Sequence, residues 1–231
     1  MLEVRDLHAS YGDALILRGV SFFVSPGEVV CLMGRNGAGK TTTMKALMGL
    51  VAVHSGSVSL AGEDISKLPA HEVAKRRLAY VPQGRRLFGE MTVAENLEVG
   101  LLATNGKAER RDKVLTTFPR LRERLSQRAE TLSGGEQQML ATGRAMCIDP
   151  TVLLLDEPTE GLQPSMIDQI QRVVVELRDQ GVAIVLVEQR VDAALSLADR
   201  VVFIENGSTR EEAPVASLRQ DHTLLDRYVG V

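Results

Sequence analysis

The stretch Gly34 to Thr42 reads GRNGAGKTT, and Gly34, Gly39, Lys40 and Thr41 satisfy the pattern G-x-x-x-x-G-K-[ST]. An apolar run, VVCLMG, precedes it and a helix-forming run, TTTMKALMGL, follows. Glycines let backbone N–H groups turn inward and approach phosphate oxygens without side-chain clash. The helix start behind them adds its positive dipole end. In such a loop Arg35, Asn36, Gly37, Ala38 and Thr42 complete the cradle. Lys40 reaches the β- and γ-phosphates, and the Thr41 hydroxyl binds Mg²⁺. A second stretch, VLLLDEPTEG, is an apolar run ending in two carboxylates. Asp156 at a strand's end suits a magnesium site, and Glu157 beside it suits the base that takes a proton from an attacking water. On its own the pair reads equally as solvated acids at a strand end. A third stretch, TLSGGEQQ, places Ser133, Gly134 and Gly135 before a helix opening near Glu136. It is a second anion-ready helix start, without a lysine. Alone it reads as a capped helix with a flexible turn. Beside the first loop it fits a composite site shared between two chains.

The elements that must position these residues follow from hydrophobic periodicity. LEVRDL alternates like a half-buried strand, and LRGVSFFVSPGE reads as a strand closed by a Pro-Gly turn. GSVSLAG has the look of an edge strand. VVCLMG, RLAYVP, TVLLLDE, VAIVLVE and RVVFIE are short apolar runs separated by helical patterns, the signature of a mainly parallel sheet with crossover helices. The early alternating strands imply an added antiparallel β-subdomain. Residues 87–150 carry no convincing strand. There TVAENLEVGLLA opens with a capping-box pattern, Thr92 and Glu95, KAERRDKVLTTF is charged and amphipathic, and GGEQQMLATGRAMCI brings Met139, Ala141, Ala145 and Met146 near one helical face. The expectation is one α/β domain over residues 1–231, with 87–150 as an inserted helical subdomain.

Composition narrows the functional classes. The formal net charge is −3, so there is no polycationic field for nucleic acid. The basic clusters Lys75-Arg76-Arg77, Arg85-Arg86 and Arg110-Arg111 read first as solvated faces. Two cysteines, Cys31 and Cys147, lie far apart in apolar runs and read as buried thiols of a cytosolic protein rather than metal ligands or a disulfide. MLEVRDLHAS lacks the regions of a signal peptide, and no apolar run approaches the ~18 residues of a bilayer span. Action at a membrane would require another chain to do the spanning.

In this order and spacing, GRNGAGKTT, LSGGEQQ and LLLDEP resemble the ATP-binding subunit of an ABC transporter, nearly end to end. The resemblance implies a P-loop ATPase core whose two copies pair head to tail around two ATP molecules, each held between the P-loop of one chain and the Ser133–Glu136 segment of the other. It implies that Tyr11 stacks on adenine, that Gln83 contacts Mg²⁺ and the attacking water and couples to the membrane subunit, and that Glu157 is the catalytic base. More narrowly, YVPQGRRLFGEMTVAENL, LSGGEQQMLATGRAM, VEQ and the ending LLDRYVGV are similar to one of the two ATPases in branched-chain amino-acid importers. DEPTEGLQPS and GRNGAGKTT are similar to relatives that import urea or short amides. Such subunits work as a pair, most often of two different ATPases though a homodimer is possible, on permease subunits at the cytoplasmic face of the membrane, fed indirectly by a substrate-binding protein.

Two positions depart from the family's pattern. Gln189 stands where most members carry a histidine that contacts the γ-phosphate, and none of the four histidines, His8, His54, His71 and His222, lies near these motifs. A glutamine amide donates a hydrogen bond to phosphate but cannot become a cation. Gln163 stands where an aspartate usually bridges the dimer interface. Leu87, Phe88 and Met91 fit either contacts for a partner helix or core packing. A soluble non-transport ABC ATPase is the competing reading, though such proteins usually carry tandem units, coiled coils or basic extensions. A small-molecule kinase would leave LSGGE and Glu157 unexplained, and the intact Lys40, Asp156 and Glu157 argue against a module that only holds ATP.

Overall fold

The computed structural model describes residues 1–230. Val231, the last residue of the LLDRYVGV segment, lies outside them. In chain order the elements are β1 (Leu2–Tyr11), β2 (Ala14–Val24), β3 (Val29–Met33), α1 (Lys40–Leu47), β4 (Ala52–Leu60), β5 (Glu63–Asp64), α2 (Ala70–Lys75) and β6 (Leu78–Val81). There follow α3 (Val93–Leu102), α4 (Ala108–Thr117), α5 (Pro119–Arg122), a 3₁₀ turn (Ala129–Thr131), α6 (Gly134–Cys147), β7 (Val152–Asp156) and α7 (Pro164–Asp179). The chain continues through β8 (Ala183–Val187), α8 (Val191–Leu197), β9 (Arg200–Glu205), β10 (Ser208–Pro214), α9 (Val215–Leu218) and α10 (Thr223–Tyr228).

Two sheets form, one of order β2-β1-β4-β5 and one of order β10-β9-β3-β8-β7-β6. The first is antiparallel throughout. In the second, β9, β3, β8, β7 and β6 run parallel and only β10 is antiparallel. The expected fold class, a mainly parallel core with an added antiparallel sheet and helices, is what the chain adopts. One strand departs from expectation. β4 lies between β1 and the two-residue β5 rather than at the edge, because the Ala61-Gly62 turn folds Glu63 and Asp64 back onto Ser59 and Leu60. β10 carries no apolar run and was invisible to periodicity. It pairs with β9 across the Asn206-Gly207 turn, where both residues have positive φ.

Strand periodicity divides the core. Cys31, Met33, Leu153, Leu155, Ile184 and Leu186 face the side covered by α3, α6 and α7, whereas Val30, Leu32, Leu154, Val185 and Val187 face α1 and the antiparallel sheet. Both faces are covered, which is why these strands read as unbroken apolar runs. Between β6 and β7 the regular elements among the described residues are helices joined by loops, with one isolated bridge of Thr92 with Arg128. The capping box is present: Glu95 N–H donates to Thr92 Oγ1 at 3.2 Å, and Thr92 N–H donates to Glu95 Oε2 at 2.7 Å. α6 is buried almost all round, from Gln138 to Cys147 with Arg144 the one partly exposed member, rather than along the one face expected. It is the axis on which α3, α4 and α5 pack, and Gly100 of α3 makes room for the Arg144 carbonyl. Of the three apolar residues after Gln83, Phe88 is 49% and Met91 39% exposed, and Leu87 packs partly on the helical core. Both cysteines are buried, and burial raises the Cys147 thiol to about 12.

Candidate functional site

The C-terminal ends of β3, β8, β7 and β6 lie side by side, the edge where open α/β sheets hold ligands. Beyond β3, the loop 34–39 opens α1. Gly34 takes φ 151, and a Cβ there would collide with the Ile204 carbonyl oxygen. Gly39 takes φ 110 at the head of α1, which starts without a side-chain cap among the described residues. Its first-turn amides are therefore uncommitted to a side chain. Lys40 is only 6% exposed, and its Nζ donates to the carbonyl oxygens of Gly34 at 2.6 Å and Arg35 at 3.1 Å. The ammonium thus sits across the loop that produced it, a position an incoming phosphate would share.

Beyond β7, Asp156 Oδ1 accepts from Thr41 Oγ1 at 3.2 Å and Oδ2 accepts from Tyr80 OH at 3.0 Å. Glu157 stands next in a left-handed conformation, φ 51, with its N–H donating to the Val187 carbonyl at 2.9 Å. That turn aims its carboxylate out of the sheet. Gln189, beyond β8, donates from Nε2 to Glu157 Oε1 at 2.6 Å. Gln83, beyond β6, donates from Nε2 to Glu157 Oε2 at 3.2 Å and to Glu160 Oε2 at 3.0 Å. Two amides from two different strand ends therefore hold the two oxygens of one carboxylate.

Burial dominates the electrostatics. It lowers Lys40 below the ordinary lysine range, against the pull of Glu157 and Asp156. It raises Asp156 above the usual carboxylate range, opposed by the hydrogen bonds from Tyr80 and Thr41. Tyr80 is pushed up by burial and by the Asp156 charge, so the phenol keeps its proton and remains a donor. Glu188 is raised by burial too, and accepts from Thr159 Oγ1 at 2.6 Å, which ties the turn holding Gln189 to the segment after Glu157.

A cavity of about 480 Å³ is lined by Asn36, Gly37, Ala38, Gly39, Lys40, Thr41, Thr42, Gln83, Glu157 and Gln189, together with Ile16. Asp156 lies just beneath it. Sequence reasoning thus found nearly every lining residue. It missed Ile16, whose only signal was its place in an apolar strand, and it missed Tyr80 and Glu160 as partners of Asp156 and Gln83. A tyrosine inside a fully apolar parallel strand is the mark that singles out Tyr80. Tyr11 does not line the cavity. It is 47% exposed at the end of β1, with the Lys45 ammonium 5.9 Å from its ring centroid.

The Ser133–Glu136 segment stands apart from this cavity. Ser133 caps α6, its Oγ accepting from Glu136 N–H at 3.4 Å, while Glu136 Oε2 accepts from Ser133 N–H at 3.0 Å. Arg124 Nε donates to Glu136 Oε1 at 2.8 Å. A Cβ on Gly135 would lie 2.6 Å from Met166 Sδ of α7, so a larger residue there would displace the Met166 side chain.

The profile of the ABC transporter family matches residues 17–160. The chain belongs to the ABC transporter family. It is 44% identical over the full length of both chains to the high-affinity branched-chain amino acid transport ATP-binding protein BraG of Pseudomonas aeruginosa. A solved ATP-binding subunit of an ABC transporter superposes with a TM-score of 0.87 at 30% identity, covering 98% of this chain and 97% of that one. A dimeric bacterial ABC transporter cassette superposes with a TM-score of 0.83 at 25% identity, covering 93% of this chain and 99% of that one. Membership of this family supports ATP binding by the chain.

Proposed function

We propose that this ABC ATPase powers import of branched-chain or other hydrophobic amino acids, with urea or short amides as the alternative cargo. The single observation that carries ATP hydrolysis is the convergence of Lys40, Thr41 and Glu157 in one cavity, with Asp156 bonded to Thr41 beside it, from two stretches far apart in sequence. The full-length likeness to a branched-chain amino-acid ATPase supports the cargo.

The chain's own residues divide the work. Loop amides from Asn36 to Thr42 and the Lys40 ammonium hold the phosphates, and Lys40 leaves the Gly34 and Arg35 carbonyls to do so. Glu157 accepts a proton from the water that attacks the γ-phosphorus as the bond to the leaving ADP oxygen breaks. Gln83 and Gln189 hold the Glu157 carboxylate, and Gln189 exchanges that bond for one to the γ-phosphate when nucleotide enters. Tyr11, exposed at the end of β1, would stack on the base, as the family resemblance implies. The hydroxyl of Thr41 and the carboxylate of Asp156, already 3.2 Å apart, are hard oxygen donors that fit Mg²⁺, with Gln83 adding a side-chain oxygen. When bound, the ion neutralises charge on the phosphate oxygens.

Ser133, Gly134, Gly135 and Glu136 lie outside the cavity that holds Lys40, which supports a composite site completed by a second ATPase chain, a heterodimer with the homodimer as alternative. Among the described residues no helix is long and apolar enough to cross a membrane. The likeness to a transport ATP-binding protein supports a position on the cytoplasmic face, against permease subunits that engage exposed Phe88 and Met91, with a substrate-binding protein acting at a distance. No nucleic-acid role is proposed. Tagged Glu157→Gln chain, held with ATP and recovered from detergent-solubilised native membranes, should bring down multi-span proteins and a second ATPase identified by mass spectrometry. Recovery only from the soluble fraction, with no membrane protein attached, sinks the transport reading in favour of a soluble ABC ATPase.

A further inference from the structure

Three consecutive residues after Gln83 are left-handed: Gly84 at φ 74, Arg85 at φ 66 and Arg86 at φ 46. For two arginines in succession this is an uncommon backbone, held only where surroundings over-determine it. The surroundings here are explicit. Arg86 N–H donates to the Gly84 carbonyl at 2.7 Å, and the Arg86 carbonyl accepts from Arg144 of α6 at 2.8 Å. The coil turns the Arg85 guanidinium onto the start of α6. Its NH1 donates to Gln137 Oε1 at 3.1 Å, and its nitrogens stand 3.2 and 3.3 Å from where a Gly134 Cβ would be. Gln137 is itself fixed, donating from Nε2 to the Ala129 carbonyl at 3.1 Å.

A cation at a helix N-terminus is disfavoured by the helix dipole, so this placement is not a stabilising cap. Its effect is mechanical. A single residue, Gly84, separates Gln83, bonded to Glu157, from Arg85, seated on the Ser133–Gln137 turn. We infer that Arg85 is a positioning residue that ties the hydrolytic centre of this chain's own ATP site to the signature segment it presents to the opposite site. The inference rests on the composite-site reading above. When phosphate enters the cavity, an acceptor competes for the Gln83 and Gln189 amides. Displacement of Gln83 then moves the Gly84–Arg86 coil and, through Arg85 and Gln137, the first turn of α6.

The test needs no partner chain. Amide hydrogen exchange is followed in the full-length protein with and without a non-hydrolysable ATP analogue and Mg²⁺, at a concentration where sedimentation shows a single chain. In the wild type, nucleotide should slow exchange in Gly34–Thr42 and also alter exchange in Ser133–Gln138, by on the order of threefold or more. Arg85→Ala should keep the first response and lose the second, Arg85→Lys should restore part of it, and Arg86→Ala, whose carbonyl still meets Arg144, should keep both. A Ser133–Gln138 response that is absent in the wild type, or unchanged in Arg85→Ala while Gly34–Thr42 still slows, overturns the tie alone. Absence of slowing at Gly34–Thr42 in the wild type overturns the nucleotide site, and the tie with it.

Discussion

The molecule has two glycine-rich helix starts, and they are built in opposite ways. At α1 the cap is Gly39, and Lys40 folds over its own loop onto two carbonyls. At α6 the first turn is closed by the reciprocal Ser133–Glu136 box, and the nearby cation, Arg85, comes from a distant segment. The first start opens into a cavity with an acid, a base and two amides aimed into it, whereas the second opens to the exterior. A helix N-terminus attracts anions in either case. Only the first combines a cation with enclosure and a proton acceptor within reach, so on the composite-site reading one chain brings the phosphate-holding half of one site and the smaller, capping half of another.

That asymmetry breaks if the wrong residues prove indispensable to a single chain. Glu157→Gln removes the base while preserving the hydrogen-bonding shape, and hydrolysis should fall about 10²–10⁴-fold, measured as phosphate release, with nucleotide binding retained. Next in size, Lys40→Ala should weaken ATP binding to one chain roughly 30–100-fold by equilibrium titration, the range of one lost charge-assisted bond. Ser133→Ala should leave that single-chain affinity unchanged while costing about 1 kcal/mol of stability from the lost cap. Equal losses of single-chain affinity in Lys40→Ala and Ser133→Ala would erase the distinction between the phosphate-holding and capping halves.

The same contrast explains how much was legible beforehand. The loop at α1 is specified by residues contiguous in sequence, so glycine spacing and the lysine announce it. Asp156 and Glu157 read equally as solvated acids on their own, and became legible only beside that loop. What sequence hid was the meeting of Tyr80 with Asp156 and of Gln83 with Glu157 and Glu160, which comes from strand order β3-β8-β7-β6 and not from any local pattern. Arg85-Arg86 read as a solvated basic face, because nothing local foretells that two arginines adopt positive φ. β10 was hidden for a related reason: STREEAP is mostly polar, and its pairing with β9 is set by the turn before it.

Asp156 sharpens the account on the energetic side. Its folded carboxyl binds a proton more tightly than the unfolded chain's would, through burial. The folded state therefore carries more protons between the two values, and the contribution to stability is greatest below the unfolded pKa and lost as pH rises through the folded one. At neutral pH the charge is held at a cost that the Tyr80 and Thr41 hydrogen bonds offset only in part. Asp156→Asn discards the charge and keeps one of the two acceptor oxygens, its NH₂ donating to whichever hydroxyl, Tyr80 or Thr41, turns to accept. Without nucleotide it should raise the melting temperature at pH 7 by about 2–4 °C, the span expected of ~1 kcal/mol in a chain of this size, with the gain shrinking toward acid pH. Magnesium dependence of ATP binding should disappear in the same variant. An unchanged or lower melting temperature at pH 7 would mean that Asp156 is not held at a cost.

The smallest effect concerns Gln189, whose amide bonds Glu157 Oε1 at 2.6 Å. A neutral amide holds the carboxylate in the same way at every pH, so its contribution to hydrolysis carries no titration of its own. A histidine in its place would be cationic below its ordinary value of about 6.5 and would then pair with either Glu157 or phosphate by a charge-assisted bond. Gln189→His should therefore introduce a new limb between about pH 6 and 7 into the hydrolysis profile, amounting to a few-fold change in rate. Gln189→Ala frees Glu157 Oε1 from its amide and should lower the rate without adding a limb. Matching rates for wild type and both variants across that range would show that the bond to Glu157 is a resting contact, and that hydrolysis at this site depends on Glu157 and Gln83 without any help from the end of β8.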